Sequence, residues 1–215
     1  MGLFSKKPTQ TSSTSPLYTI GGQKTVLVVA LGNPGKEYDG TRHNIGFACI
    51  DTFVRAHSAF GAWVTKKDLK CLTTSATLGH TRVIVVKPTT FMNLSGEAVQ
   101  VVHSFYKLSA TETIVVHDEL DIEFGLLRTR TGGGSAGHNG LKSLIQHIGE
   151  GFGRVRIGIN SEIRTKNDEK DFVLKAFSKE EQGQMNNLTR EVTSILTEYV
   201  FGGQQLPTET RSFLV

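Results

Sequence analysis

The stretch 26-VLVVALGNPG-35 decides the fold. Val26 to Leu31 is an unbroken apolar run that stops at the turn-forming Gly-Asn-Pro-Gly of residues 32–35. An apolar run this short, closed by turn residues, reads as a strand buried on both faces.

Outward from that strand, the hydrophobic period alternates between strand and helix. From about Asn44, Ile45, Cys49, Phe53, Ala56 and Phe60 share one helical face. Arg82–Val86 (RVIVV), closed by Pro88, reads as a strand. A helix follows from about Ser95 to Tyr106, with Ala98, Val102, Phe105 and Tyr106 inward. Thr113–Val116 (TIVV) is a third strand of the buried kind. Leu127–Thr131 (LRTRT) alternates and offers one basic face. A glycine-rich loop, 132–137, leads into a helix carrying Leu141, Leu144, Ile145 and Ile148, and Arg154–Ile159 (RVRIGI) alternates again. The last helix is marked by a Ser178/Glu181 capping box, a stripe from Met185 to Tyr199, and the stop Gly202-Gly203. Strands alternating with helices predict a single-domain three-layer α/β/α fold with a mixed, mostly parallel sheet. The domain is expected to span 25–203, between an N-terminal tail (1–24) and a C-terminal tail (204–215). The polar stretch Glu162–Asp171 reads as a loop.

With 215 residues the chain suits one domain. Its net charge of +4 is compatible with a nucleic-acid partner without requiring one. Cys49 and Cys71 stand far apart, so neither a disulfide framework nor a zinc pair is indicated, and a reducing compartment suits them. No apolar run approaches the roughly 20 residues that span a bilayer. The first 24 residues lack the apolar core of a secretory signal. The expectation is a cytoplasmic protein with no membrane contact, acting as a monomer.

Sites on such sheets form where loops meet at the C-terminal ends of strands. Four loops bring polar residues there: Asn33, Tyr38, Arg42, His43 and Asn44; Met92 and Asn93; His117, Asp118 and Glu119; His138 and Asn139. A histidine that activates water needs a free ring nitrogen, and a carboxylate on the other nitrogen fixes its tautomer. His43 with Asp118 suits that task; a surface histidine and a turn-capping aspartate is the competing reading. The amides of Asn33, Asn93 and Asn139 can donate and accept together, although Asn is also a common turn residue. Paired arginines, Arg128 with Arg130 and Arg154 with Arg156, suit phosphates or a charged sheet edge. No HExxH, EF-hand, zinc spacing, P-loop or GxSxG elbow is present, so direct water attack is preferred to an acyl-enzyme.

Taken together, LGNPGKEYDGTRHNIGF (31–47), KPTTFMNLSGEAV (87–99), HDELDIEFG (117–125) and GGGSAGHNGLKSL (132–144) resemble the bacterial-type peptidyl-tRNA hydrolases. RVRIGI (154–159) and DFVLKAFS (171–178) extend the resemblance. It implies an enzyme that cleaves the ester between a peptide and the 3′-terminal ribose of tRNA, recycling peptidyl-tRNA released from ribosomes, with no metal or organic cofactor. It casts His43 as catalytic base and Asp118 as its orienting partner. Asn33, Asn93 and Asn139 are implied to bind the peptide–ester region and the water. Tyr38, Met92 and His138 are implied to line the cleft, and Arg130 and Arg154 to meet tRNA phosphates. One departure is Ala136, where the family usually has glycine; a positive φ there would strain it. The alternatives are a catalytically inactive RNA-binding protein on the same fold and a serine esterase of small molecules.

Overall fold

The computed structural model describes residues 24–161 and 169–214. The expected tail 1–24, apart from Lys24, and residues 162–168 of the polar stretch lie outside them. The opening strand, β1 (Lys24–Ala30), is buried on both faces as its composition predicts. Val26, Val28 and Ala30 enter one core, and Leu27, Val29 and the following Leu31 enter the other.

The chain continues through α1 (Ile45–Ala56), β2 (Val64–Lys66), β3 (Cys71–Leu78), β4 (Thr81–Pro88) and α2 (Ser95–Tyr106). Then come β5 (Thr113–Glu123), β6 (Leu126–Thr131), α3 (Asn139–Ile148) and β7 (Gly153–Asn160). The C-terminal part is α4 (Glu169–Leu174), α5 (Lys179–Gly183), α6 (Met185–Phe201) and β8 (Glu209–Ser212). Among the described residues the eight strands form one sheet, ordered β2-β3-β4-β1-β5-β7-β6-β8. The central four, β4-β1-β5-β7, run parallel, and the flanking pairs are antiparallel. One core is closed by α1, α4 and α6, including Phe53, Phe172 and Leu196, and the other by α2 and α3 through Val102 and Leu144. This is the expected three-layer architecture with a mixed sheet and a parallel centre.

Several local expectations change. The segment read as a C-terminal tail carries β8, which pairs antiparallel with β6 and buries Phe213. Its ETRS sequence has no apolar run, so its strand character comes from the edge it covers. The HDELD segment, read as a loop, lies in the second half of β5, because β7 continues beside it through Glu119↔Gly158 and, after a register shift, to Glu123↔Asn160. Phe105 faces outward at 62% exposure, and His103 takes the inward position by bonding Thr113 Oγ1 at 2.8 Å. The Ser178/Glu181 capping box is formed, but it starts the short α5, and α6 begins afresh at Met185.

Candidate active site

His43 sits in a 3-10 turn, Arg42–Asn44, that leads directly into α1. Each neighbour ties this turn down. The Asn44 amide brackets the Asn33 backbone, accepting from its N–H at 2.8 Å and donating to its carbonyl at 2.9 Å. The Arg42 guanidinium meets Glu181 at 2.6 Å, donates to the carbonyl of Ala176 and lies over Phe172. Arg42 therefore fastens the α4–α5 segment against the turn. Gly46 leaves no space for a Cβ, which would lie 2.7 Å from the Val116 carbonyl oxygen, so the turn rests on the ends of β1 and β5.

Asp118, 2% exposed, faces two histidines. His43 Nδ1 lies 3.0 Å from each carboxylate oxygen, and His138 Nε2 lies 3.0 Å from Oδ1. Burial alone would raise the Asp118 carboxyl; the facing His138 and His43 rings and the hydrogen bonds from both outweigh it and hold the group well below the usual carboxylate range. An ionised carboxylate only accepts, so both facing ring nitrogens carry hydrogen. For His138 this is fixed twice over. Its Nδ1 accepts from the backbone N–H groups of Gly140 and Leu141 at 3.1 and 3.3 Å, capping α3, which leaves the proton on Nε2. His43 Nδ1–H likewise donates to Asp118, and in the neutral ring the lone pair lies on Nε2, which makes no hydrogen bond among the described residues. The three side chains are close enough to hold a metal ion; their donor pattern is fully met by the two N–H bonds to the carboxylate.

His43, Asp118, His138 and Asn139 border one cleft of about 170 Å³, which Glu119, Ala136 and Val173 also line. Asn33 and Met92 are buried, Tyr38 is half-buried and Asn93 exposed, and none of the four borders that cleft directly. Asn33 Oδ1 accepts from the Met92 N–H at 2.8 Å, so its NH2 group is the end left to a ligand. The Met92 side chain lies over Gly140, where a Cβ would come within 2.6 Å of Sδ and 3.0 Å of His138 Cε1. Tyr38 stacks edge-on against exposed Phe91, and Asn93 and Asn139 are exposed.

Ala136 has φ +46, the left-handed conformation in which a side chain at that position is strained. A Cβ there costs roughly 1–2 kcal/mol. Ala136→Gly is therefore expected to raise unfolding stability by about 1 kcal/mol, part of the relief being offset by the extra freedom glycine gives the unfolded chain. Denaturant melts of the two proteins check this, and equal midpoints would mean that the loop bears no strain.

Two expectations about basic residues part company. Arg130 is exposed beside Arg128 and Arg156 in an open groove of about 420 Å³ that also takes in Thr208 and Thr210. Arg154 is 3% exposed and donates to the carbonyls of Gly133 and Gly134, with its guanidinium over Phe152. It acts as a clamp on the glycine-rich loop, and Arg156, partly exposed, is the β7 arginine that lines the groove. Alternation along β7 already set these two arginines on one face; only burial separates them.

His117, fully buried next to Asp118, was passed over as a site residue. Its Nδ1–H donates to the Asp118 carbonyl at 2.7 Å, and its ring meets His138 edge-on at 5.2 Å. Burial, and then the neighbouring His138, lowers its imidazole to about 3. Burial also lowers His103. The unfolded chain binds these protons near pH 6.5 and the folded chain does not, so stability falls as pH drops from about 6.5 towards 3. Each group contributes a slope of up to about 1.4 kcal/mol per pH unit. Asp118 acts in the other sense, its stabilisation being present above the ordinary carboxylate range and lost only below it. His117→Phe is expected to reduce the slope between pH 6.5 and 4 by about one proton, measured by urea melts across that range. An unchanged slope would remove His117 as a buried neutral group.

The sequence profile described as peptidyl-tRNA hydrolase matches residues 27–212. The chain belongs to the peptidyl-tRNA hydrolase family. It is 45% identical over 166 residues to the peptidyl-tRNA hydrolase of Cereibacter sphaeroides, covering 77% of this chain and 72% of that one. It is 40% identical over 171 residues to the peptidyl-tRNA hydrolase of Rickettsia conorii, covering 79% and 90%. Among solved structures, peptidyl-tRNA hydrolase from Acinetobacter baumannii superimposes with a TM-score of 0.77 at 32% identity, over 85% of this chain and 91% of that one. The family profile runs on through β8, in keeping with a domain that continues past residue 203. Among the described residues, no helix is long and apolar enough to cross a membrane.

Proposed function

We propose that this member of the family hydrolyses the ester joining a peptide, or an N-acylated amino acid, to the 3′-terminal ribose of tRNA, with His43 activating the water. The supporting observation is the equal 3.0 Å approach of His43 Nδ1 to both oxygens of buried Asp118, which turns the basic nitrogen away from the carboxylate. Water adds to the acyl carbonyl as its proton passes to His43 Nε2. The tetrahedral intermediate then expels the ribose oxygen, which takes that proton. The products are a free acyl carboxyl group and tRNA with a free 3′-terminal hydroxyl. Asp118 stabilises the imidazolium formed between the two steps.

The NH2 of Asn33, held by the Met92 backbone, suits the developing oxyanion or the peptide carbonyl. Asn93 and Asn139 suit a peptide main chain, a mode of recognition that does not depend on peptide sequence. Tyr38, Met92 and His138 shape the adjoining walls. The monomer is the working unit in this reading. The buried thiols of Cys49 and Cys71 suit the cytoplasm.

The groove bearing Arg130, with Arg128 and Arg156, suits tRNA phosphates. Arg130→Ala is expected to weaken tRNA binding and to lower the slope of log K against log salt by about 1. Filter-binding titrations across salt concentrations read this directly, and an unaltered slope would take Arg130 out of the phosphate contacts.

The function itself is tested by incubating the purified protein with labelled N-acetyl-phenylalanyl-tRNA and following label released from the RNA. Release that resists a serine-directed phosphonate is expected. RNA bound without release would leave the inactive RNA-binding alternative standing.

A further inference from the structure

Glu119 lines the cleft and also bonds Arg156, a residue of the arginine groove. It is 3% exposed, and its Oε2 accepts from Arg156 Nε at 3.1 Å while Oε1 accepts from the Asp121 N–H at 3.3 Å. Arg156 sits directly across the β6–β7 ladder from Arg128, and Arg130 faces Arg154 two pairs further along. Burial, and then the like charges of Arg130 and Arg156, lower Arg154 to about 10. A long side chain in such a field needs a fixed anchor to hold one orientation. Guanidinium has five N–H donors in a rigid fork, and among the described residues Glu119 engages it at Nε, an arrangement that can turn the two terminal nitrogens to the groove.

From this placement we infer that Glu119 is a positioning residue for RNA recognition: it aims the Arg156 fork at a phosphate in the groove and thereby favours esters carried on tRNA over the same ester on a lone nucleoside. This rests on the hydrolase reading above. Its carboxylate bonds Arg156 and the Asp121 N–H and, among the described residues, neither the His43 nor the Asp118 side chain, so it is given no part in the His43–Asp118 chemistry. A competing role would be charge neutralisation alone. The two roles differ in sign, because removing a mere neutralising carboxylate makes the groove more positive and tightens RNA binding.

The test compares two substrates of wild type and variants: N-acetyl-phenylalanyl-tRNA, and the same acyl group on the 3′ oxygen of adenosine, which cannot reach the groove. Glu119→Ala is expected to raise KM for the tRNA ester about tenfold with kcat kept, and to leave hydrolysis of the adenosine ester unchanged, as expected when one charge-assisted contact is misaligned. Glu119→Gln, which keeps an acceptor for Arg156 Nε, is expected to recover most of that affinity. Arg156→Ala is expected to show a similar loss, and adding Glu119→Ala to it should cost nothing further.

Tighter or unchanged tRNA binding in Glu119→Ala would overturn the inference, as would additive losses in the double variant. A parallel fall on the adenosine ester would instead assign Glu119 to the cleft chemistry and equally overturn it. If Glu119→Ala does not yield folded protein, Glu119→Asp, one methylene short of Arg156, gives the same reading. A wild type that cleaves neither ester fails the hydrolase reading, which is a separate result.

Discussion

His43→Ala is expected to lower the single-turnover rate of ester cleavage by about 10²–10⁴-fold while tRNA affinity stays intact. The side chain contributes one lone pair at Nε2, and no other imidazole in the cleft can replace it. His138 holds its Nε2 proton against Asp118 and its Nδ1 against two backbone amides. His117 is fully buried, with its ring turned to the Asp118 carbonyl. The groove that suits RNA is built from β6, β7 and the residues around β8, well separated in sequence from the His43 turn, so its binding should survive. Truncating a buried ring against His138, 5.0 Å away, leaves a cavity, and the thermal midpoint must be followed alongside the rate. A rate near wild type would remove His43 from the chemistry; a variant that no longer folds would make it structural.

Asp118→Asn is expected to be at least as damaging, with a loss of kcat of order 10⁴-fold by analogy with the wrong-tautomer effect of such a change in a His–Asp pair. The argument concerns protons. Asp118 accepts from both histidines, whereas an amide has one accepting oxygen and a donating NH2. With the amide oxygen at the Oδ1 position that both imidazoles share, the NH2 stands at Oδ2, 3.0 Å from His43 Nδ1. It favours an imidazole that turns its lone pair towards residue 118. His138 cannot do so without abandoning the N–H groups of Gly140 and Leu141 at the start of α3. The change therefore falls on His43, whose proton moves to Nε2 and leaves the cleft without a base. Nitrogen NMR of the labelled imidazoles would read the switch, with His43 exchanging tautomer and His138 unchanged. Retained activity in Asp118→Asn, or a switch at His138, would contradict this division of roles.

The central architecture was legible because the strands buried on both faces carry unmistakable composition: VLVVAL, RVIVV and TIVV lie side by side at the parallel centre. The flanks were not. CLTTSATL of β3 dilutes its apolar signal with threonines, whose hydroxyls find carbonyls such as that of Val85. VTK and ETRS are edge strands whose structure comes from the neighbour they pair with. At the candidate site, the residue types and loop positions pointed to His43, Asp118 and His138. What sequence could not carry was the sharing of one carboxylate between two imidazoles, since His138 lies 20 residues from Asp118 and His43 lies 75 away. Nor could spacing tell Arg154 from Arg156, which differ only in what covers them. At Ala136 the positive φ that strains a side chain is present.

Direct attack by water, with no covalent acyl-enzyme, is the central claim, and a pre-steady-state experiment tests it most directly. The wild-type protein would be mixed with excess N-acetyl-phenylalanyl-tRNA in EDTA, and the free tRNA 3′ end and the released acyl acid followed on the same millisecond samples. Water activated by His43 predicts that the two products rise together from the first turnover, with the chelator making no difference. A burst of free tRNA ahead of the acid would reveal an acyl-enzyme and contradict the claim, and so would activity that EDTA abolishes and added metal restores.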